Sequence, residues 1–316
     1  MEEKLVISSS PHIHCGTTTR KVMLDVIIAL VPAFVASIII FGPRALMVVA
    51  VTVLSCILSE YICRRVMKRE NTIGDLSAVV TGILLAFNLP VTINPLMAAF
   101  GGVIAIVVVK QMFGGIGQNF VNPALAARII LMNSFPAAMT NWTKPLAYLH
   151  SADAMTAATP LALIKQHASP DQLPSLQNMF LGTTGGCLGE TCALALLLGG
   201  IYLVVRKVIS PVIPLCFLGT AAFLSACMGR NVLVDLLSGG MMLGAIFMAT
   251  DYTTSPMTLK GQVIFAIGCG VITMLIRNFG SLPEGVSYSI VLMNILVPLI
   301  DSGTRPKAFG KEPAKK

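Results

Sequence analysis

The sequence predicts an all-α polytopic membrane protein with about ten transmembrane helices in two inverted-topology repeats. Three observations carry that expectation. The 316-residue chain is 55% hydrophobic and only 11% charged, with a mean hydropathy of +0.82. Soluble domains carry roughly 25% charged residues, so this chain has too little polar surface to cover itself in water. Its apolar residues gather in segments near the ~20 residues that span a bilayer as a helix. Short strings in the first half recur in the second at a steady offset.

The apolar segments lie near 22–41, 45–63, 75–89, 96–110, 121–133, 187–205, 211–228, 232–249, 261–277 and 286–300. Some are short or interrupted: the third runs into Asn88-Leu89-Pro90, and the fifth is barely long enough to cross. Basic residues orient them. Arg64, Arg65, Lys68, Arg69, Arg206, Lys207 and the basic tail fall on one side, which positive-inside topology assigns to the cytoplasm. Both termini are then cytoplasmic. The polar stretch 134–179 is extracytoplasmic. This divides the chain into an N-terminal segment (1–21), a first membrane half (22–133), the outer loop (134–179), a second half (180–300) and a basic tail (301–316). The net charge of +8 belongs to this topology and carries no stripe of interleaved aromatics, so no nucleic-acid partner is expected. Lipid is the expected solvent of the apolar surface.

The repeat is read from four matches in order. Asn71-Thr-Ile-Gly-Asp75 matches Asn231-Val-Leu-Val-Asp235, and Gly82-Ile-Leu-Leu-Ala86 matches Gly244-Ala-Ile-Phe-Met248. Asn94-Pro95 matches Ser255-Pro256, and Ile130-Leu-Met-Asn133 matches Val291-Leu-Met-Asn294. The topology puts Asn71 inside and Asn231 outside, so the repeat is inverted. Such folds bind ligands where discontinuous helices break near the midplane. Gly and Pro mark the breaks at Asn88–Asn94, Gly114–Pro123, Thr250–Pro256 and Gly280–Glu284.

Candidate site residues follow. In Asp153-Ala-Met-Thr156-Ala-Ala-Thr159-Pro160, small neighbours leave a threonine hydroxyl open to a modifying enzyme. The same residues also suit a plain helix start, with Thr156 or Thr159 as N-cap and Pro160 at the first helical position. The Gly-rich run Gly114–Pro123 allows close backbone approach to a planar ligand, with Asn119 and Asn122 as amide contacts; a turn capped by asparagines is the alternative. Carboxylates within membrane segments are functional candidates: Asp25, Asp75, Asp235, Asp251 and Glu190. Of these, Asp75, Asp235 and Glu190 are ion-path candidates, and helix capping or inter-helix pairing is the competing role. No catalytic residue and no metal site is expected; His12, His14 and Cys15 suit a partner contact better than a metal. The eight cysteines show no C-x-x-C spacing.

Longer motifs then carry a resemblance. Ser10-Pro-His-Ile-His14, Gly74-Asp-Leu-Ser-Ala-Val-Val-Thr-Gly82, Lys110-Gln-Met-Phe-Gly-Gly-Ile-Gly-Gln-Asn119, Asn122-Pro-Ala-Leu125, Gly185-Gly-Cys-Leu-Gly-Glu-Thr191 and Ala249-Thr-Asp-Tyr-Thr-Thr-Ser-Pro256 stand in order along nearly the whole chain. Together they resemble the NqrB/RnfD family of ion-translocating oxidoreductase subunits, the Rnf members most of all. The resemblance implies a subunit without a complete active site, working in a ferredoxin:NAD oxidoreductase that moves Na⁺ or H⁺. It implies the A, B, C, E and G subunits of the Rnf complex as partners, and a flavin transferase. That enzyme joins FMN through its phosphate to the last threonine of an Asp-x-x-Ser/Thr-Gly-Ala-Thr pattern. Carried over, the pattern gives Asp153, Thr156 and the attachment residue Thr159, with Ala157 standing where the pattern has glycine. A second, non-covalent flavin, riboflavin, is implied near Asn119 and Asn122. The rival class is a channel or secondary transporter of the same inverted-repeat fold without redox function.

Overall fold

The structure is a computed structural model that describes residues 16–149, 157–166 and 173–305. Among them every regular element is helical. Four helices are long and apolar enough to cross a membrane: α1 (Thr19–Phe41), α2 (Pro43–Val66), α13 (Leu259–Phe279) and α14 (Val286–Thr304). The remaining crossings are shorter or broken. They are α3 (Ser77–Phe87), α4 (Pro95–Val103), α5 (Pro123–Ser134), α9 (Ala193–Val205), α10 (Val212–Cys227) and α11 (Val232–Leu237) with the short α12 (Met241–Leu243). Both α4 and α12 loosen at their ends into π-helical turns, Ile104–Gln111 and Gly244–Met248. Short helices α6 (Pro136–Met139), α7 (Pro160–Lys165) and α8 (Leu176–Leu181) belong to the segment between the halves.

Local chemistry sets these boundaries. Gly42, at φ +79°, ends α1, and Pro43 starts α2 at a position that needs no N–H. Asn94, Asn122 and Asn231 each accept backbone N–H bonds at the starts of α4, α5 and α11. Asp75 accepts from both the N–H and the hydroxyl of Ser77 (2.8 and 2.6 Å), which fixes the start of α3.

The two halves pack alike. In the first, α2 lies against α3 and α4; in the second, α10 lies against α11 and α13. The halves meet where α1 packs on α9 and α5 on α14. Two buried polar clusters show the inversion. In one, Glu60 of α2 accepts from Lys110, Gln111 and Thr72, and Lys110 also reaches Ser77 at the start of α3. In the other, Asp235 of α11 is held by Arg230 and by Ser225 of α10, while Arg277 at the end of α13 caps the carbonyls of Asp235 and Ser238. The same elements build both. The first cluster lies at the end where Thr17–Thr19 enter α1, and the second at the end where Trp142 and Thr159 lie.

The segment between the halves sits over the α1–α2 turn. Leu146 N–H donates to the Ile40 carbonyl (2.8 Å), the Tyr148 hydroxyl to that of Ile39 (2.9 Å), and Thr92 to that of Asn141 (2.8 Å).

The sequence places an apolar segment at 187–205, but its helix starts only at Ala193. The preceding residues run as irregular backbone through the interior, and they need partners there. They find them at the end of α3 and just beyond it: Leu188 N–H donates to the Leu89 carbonyl (3.1 Å) and Gly189 N–H to that of Phe87 (3.0 Å). A Cβ on Gly189 would stand 2.1 Å from Cγ of the fully buried Phe87. Gly189→Ala is therefore expected to destabilise the protein by about 1–3 kcal/mol through overpacking, seen as a lower midpoint of thermal unfolding in detergent. An unchanged midpoint would contradict this close approach.

Candidate functional site

The broken helices bring their ends together in the core. Met248, at the end of the second π-helical turn, meets Asn88, the residue that ends α3, and the Asn88 amide contacts its sulfur at 3.6 Å. Around this point polar side chains satisfy the interrupted backbone. Asn122 caps α5 with its side-chain oxygen and donates to the Met248 carbonyl (3.3 Å). Asn294 accepts the Asn122 N–H (3.2 Å) and donates to the Thr254 carbonyl (2.8 Å). Arg128, the lone charge inside α5, donates to Asn88 (2.6 Å) and Ser287 (3.0 Å), and pairs with Glu284.

A cavity opens on either side of this bridge, called inner and outer after the topology expected from the sequence. The inner one, about 530 Å³, is lined by Ser77, Lys110, Asn119, Asn122, Asp251 and Tyr252 among others. The outer one, about 510 Å³, is lined by Arg128, Trp142, Thr159, Glu190, Ser238 and Glu284 among others. Both fall within the size range of ligand sites, roughly 300–1,000 Å³.

Thr159 is an N-cap, as one of the two sequence readings has it. Its backbone is extended (φ −72°, ψ 152°), its Oγ1 accepts the Ala162 N–H (3.2 Å), and Pro160 is the first helical residue of α7. Capping does not remove it from the cavity, whose wall it forms. The chain before it is pinned by Ala157 N–H donating to the Trp142 carbonyl (2.8 Å). Asp153 and Thr156 lie outside the described residues, as do His12, His14 and Cys15. Lys165, at the end of α7, donates to the carbonyls of Gly280 and Leu282 (2.5 and 2.8 Å), and loss of solvent lowers its pKa from the ordinary value.

The other sequence candidates separate. Asn119 and Asn122 share the inner cavity, although Asn122 spends its side chain on the α5 cap and the Met248 carbonyl. Asp75 and Asp235 hold equivalent places in the two halves and bind different partners: Asp75 fixes α3, whereas Asp235, 2% exposed, is ion-paired with Arg230. Glu190 lies in the outer cavity. Asp25 binds Tyr202 and Arg206 across the α1–α9 contact. Arg128 and Glu284 were not among the sequence candidates. A single arginine in an apolar helix was the available signal, but its partner is 156 residues away.

A model of the NQR2, RnfD, RnfE family matches residues 6–310. The chain belongs to that family. It is 49% identical, over its whole length and 98% of the relative, to the D subunit of the Na(+)-translocating ferredoxin:NAD(+) oxidoreductase complex of Acetobacterium woodii. It is 43% identical to the D subunit of the proton-translocating ferredoxin:NAD(+) oxidoreductase complex of Clostridium ljungdahlii, over 96% of each chain. It is 37% identical to the D subunit of the ion-translocating oxidoreductase complex of Stutzerimonas stutzeri, over 93% of each. In this member of the NQR2, RnfD, RnfE family, the Arg128–Glu284 pair ties the two halves together across the interior. Removing one partner leaves an uncompensated buried charge, which costs about 3–5 kcal/mol. Arg128→Leu and Glu284→Leu are each expected to lower the unfolding midpoint in detergent more than the double replacement does. Additive single effects would show that the pair is not a unit.

Proposed function

We propose that this chain is the D subunit of a membrane-bound, ion-translocating ferredoxin:NAD⁺ oxidoreductase, and that it carries FMN esterified through its phosphate to Thr159. The observation that supports this most is the position of Thr159 in the wall of the outer cavity, beside Trp142. The hydroxyl is half-buried on a segment fixed by the Trp142 carbonyl, so a group attached there is held at the cavity mouth.

The residues present suit such a group. Trp142 offers a flat apolar face, and Arg128, Ser238, Glu284 and Glu190 offer polar contacts at the wall. FMN supplies one- and two-electron transfer that no side chain here provides. Esterification consumes the Thr159 hydroxyl proton and leaves Oγ1 a poorer acceptor for the Ala162 N–H. The added phosphate is anionic, and Lys165 is a suitable counter-charge, because carbonyls rather than a carboxylate hold its ammonium. A flavin transferase is the expected modifying partner, and the A, B, C, E and G subunits are the expected assembly. Electron passage through this chain is coupled to Na⁺ or H⁺ movement, with both termini on the cytoplasmic side. Riboflavin is the proposed occupant of the inner cavity, against Asn119 and the cap at Asn122.

Two measurements test these assignments. Thr159→Ala is expected to abolish the fluorescent band of this protein on a denaturing gel and to lower stability by about 1 kcal/mol through the lost cap. Thr159→Ser is expected to keep both, and fluorescence persisting in the alanine variant would refute the attachment site. Denaturing the purified complex is expected to release free riboflavin, at least tenfold less of it from an Asn119→Leu variant. Equal release from that variant would exclude the inner cavity as its seat.

A further inference from the structure

The outer cavity contains two carboxylates that differ in one respect. Both oxygens of Glu284 are committed: Oε1 accepts the Gly240 N–H (2.5 Å), and Oε2 pairs with Arg128. Glu190 is only half committed. Its Oε1 accepts the Cys187 N–H at 3.0 Å, whereas Oε2 is buried with no hydrogen-bond partner among the described residues. The residue is 6% exposed and belongs to the cavity wall. An unpaired carboxylate oxygen in an apolar interior is costly, and nothing in the fold requires it here, since Oε1 alone serves the turn at Cys187.

Among the described residues, every charged group around it is fixed. Oε2 of Glu190 and Oε1 of Glu284 both face Gly240, at 3.2 and 2.5 Å from where a Cβ would stand. Arg277 of α13 reaches the neighbouring Gly239, with Nη2 at 3.4 Å from the same position there, and its guanidinium is seated on the Asp235 and Ser238 carbonyls. Arg128 of α5 lies on Glu284, Asn88 and the Cys187 sulfur. The Cys187 thiol itself donates to the Asn88 carbonyl at 3.3 Å. Asp235 is neutralised by Arg230. With Glu190 ionised, two guanidiniums face two carboxylates and the cluster is balanced. An added negative charge in the cavity breaks that balance, and among the described residues Glu190 is the acid there with a free oxygen to restore it.

We propose that Glu190 is the proton-accepting carboxylate of the outer cavity, taking up a proton at Oε2 when negative charge enters that cavity. This rests on the reading that FMN is carried on Thr159. A low-potential one-electron donor delivers one electron to the flavin. One proton from the outer aqueous side forms an O–H bond at Oε2, and no bond of the protein breaks. Electron and proton together leave the net charge of the cavity unchanged. On reoxidation the electron leaves to the next carrier, and the proton returns to the side from which the cavity opens. Glu190 thus acts as a positioning residue for charge, setting how strongly the flavin's potential depends on pH.

The test uses the purified complex in weak buffer, reduced stepwise with reduced methyl viologen, which gives up an electron without a proton. An indicator dye reads proton uptake, and the fluorescent band on a denaturing gel reads the amount of covalent flavin. Glu190→Gln is expected to take up about one proton fewer per covalent flavin than the wild type, with the band intact. Glu190→Asp is expected to retain the uptake with a shifted pH midpoint. Unchanged uptake in the glutamine variant with the band present overturns the proton-accepting role and leaves the flavin assignment standing. Absence of the band from the wild-type protein overturns the flavin assignment itself. Should the glutamine variant fail to assemble, the aspartate variant decides, and an unshifted midpoint there overturns the proposal.

Discussion

The structure depends on one constraint: backbone polar groups in a membrane interior must find partners within the protein. Non-helical backbone enters the interior after α3, before α9 and after the second π-helical turn. Each stretch finds its partners in a distant part of the chain. The end of α3 and the chain just beyond it pair their carbonyls with Leu188 and Gly189. The end of the π-helical turn at Met248 takes a bond from Asn122, and Thr254 takes one from Asn294. Asn88 stands between these, bonded to Arg128 and touching Met248. Closing this network places two cavities, one on either side.

The two cavities are alike in placement and different in chemistry. Each is walled by the start of a broken helix of one half and by the polar turn that precedes the last helix of that half. The inner cavity has Ser77 with the chain before Pro123; the outer has Ser238 with the chain before Val286. The inner cavity's lysine is locked to Glu60 and its carboxylate, Asp251, accepts from the Thr253 and Thr254 hydroxyls, so the rest of its polar wall is mostly amide and hydroxyl. The outer cavity keeps both carboxylates and guanidiniums. An inverted repeat thus supplies two similar frames, and a few charged residues make one of them sensitive to added charge.

Much of this was legible in the chain itself. Low charge content and the spacing of apolar segments gave the class, and the breaks read at Asn88–Asn94 and Gly114–Pro123 are ones the structure keeps, with Asn94 and Asn122 capping the helices that follow. The match of Asp75 with Asp235 foreshadowed the equivalent clusters of the two halves. Thr159 was readable in two ways; the structure shows it as the N-cap of α7, and the residue also lines a cavity. The extent of α9 was not legible. Cys187–Cys192 adjoins the apolar run of α9 with no proline between them, and pairing with the end of α3 makes irregular backbone tolerable there.

The sequence by itself determined what depends on composition and neighbours: an apolar chain that needs lipid, helix starts set by asparagine and proline, breaks set by glycine and proline, and motifs long enough to identify a family. Only the tertiary structure decided which charges meet. Arg128 and Glu284 are 156 residues apart, Glu60 and Lys110 are 50 apart, and no local pattern joins them. The same holds for the one oxygen of Glu190 left unpaired. Whether a buried carboxylate has a partner depends on what the rest of the chain brings beside it, and that is a property of packing in three dimensions rather than of neighbours in sequence.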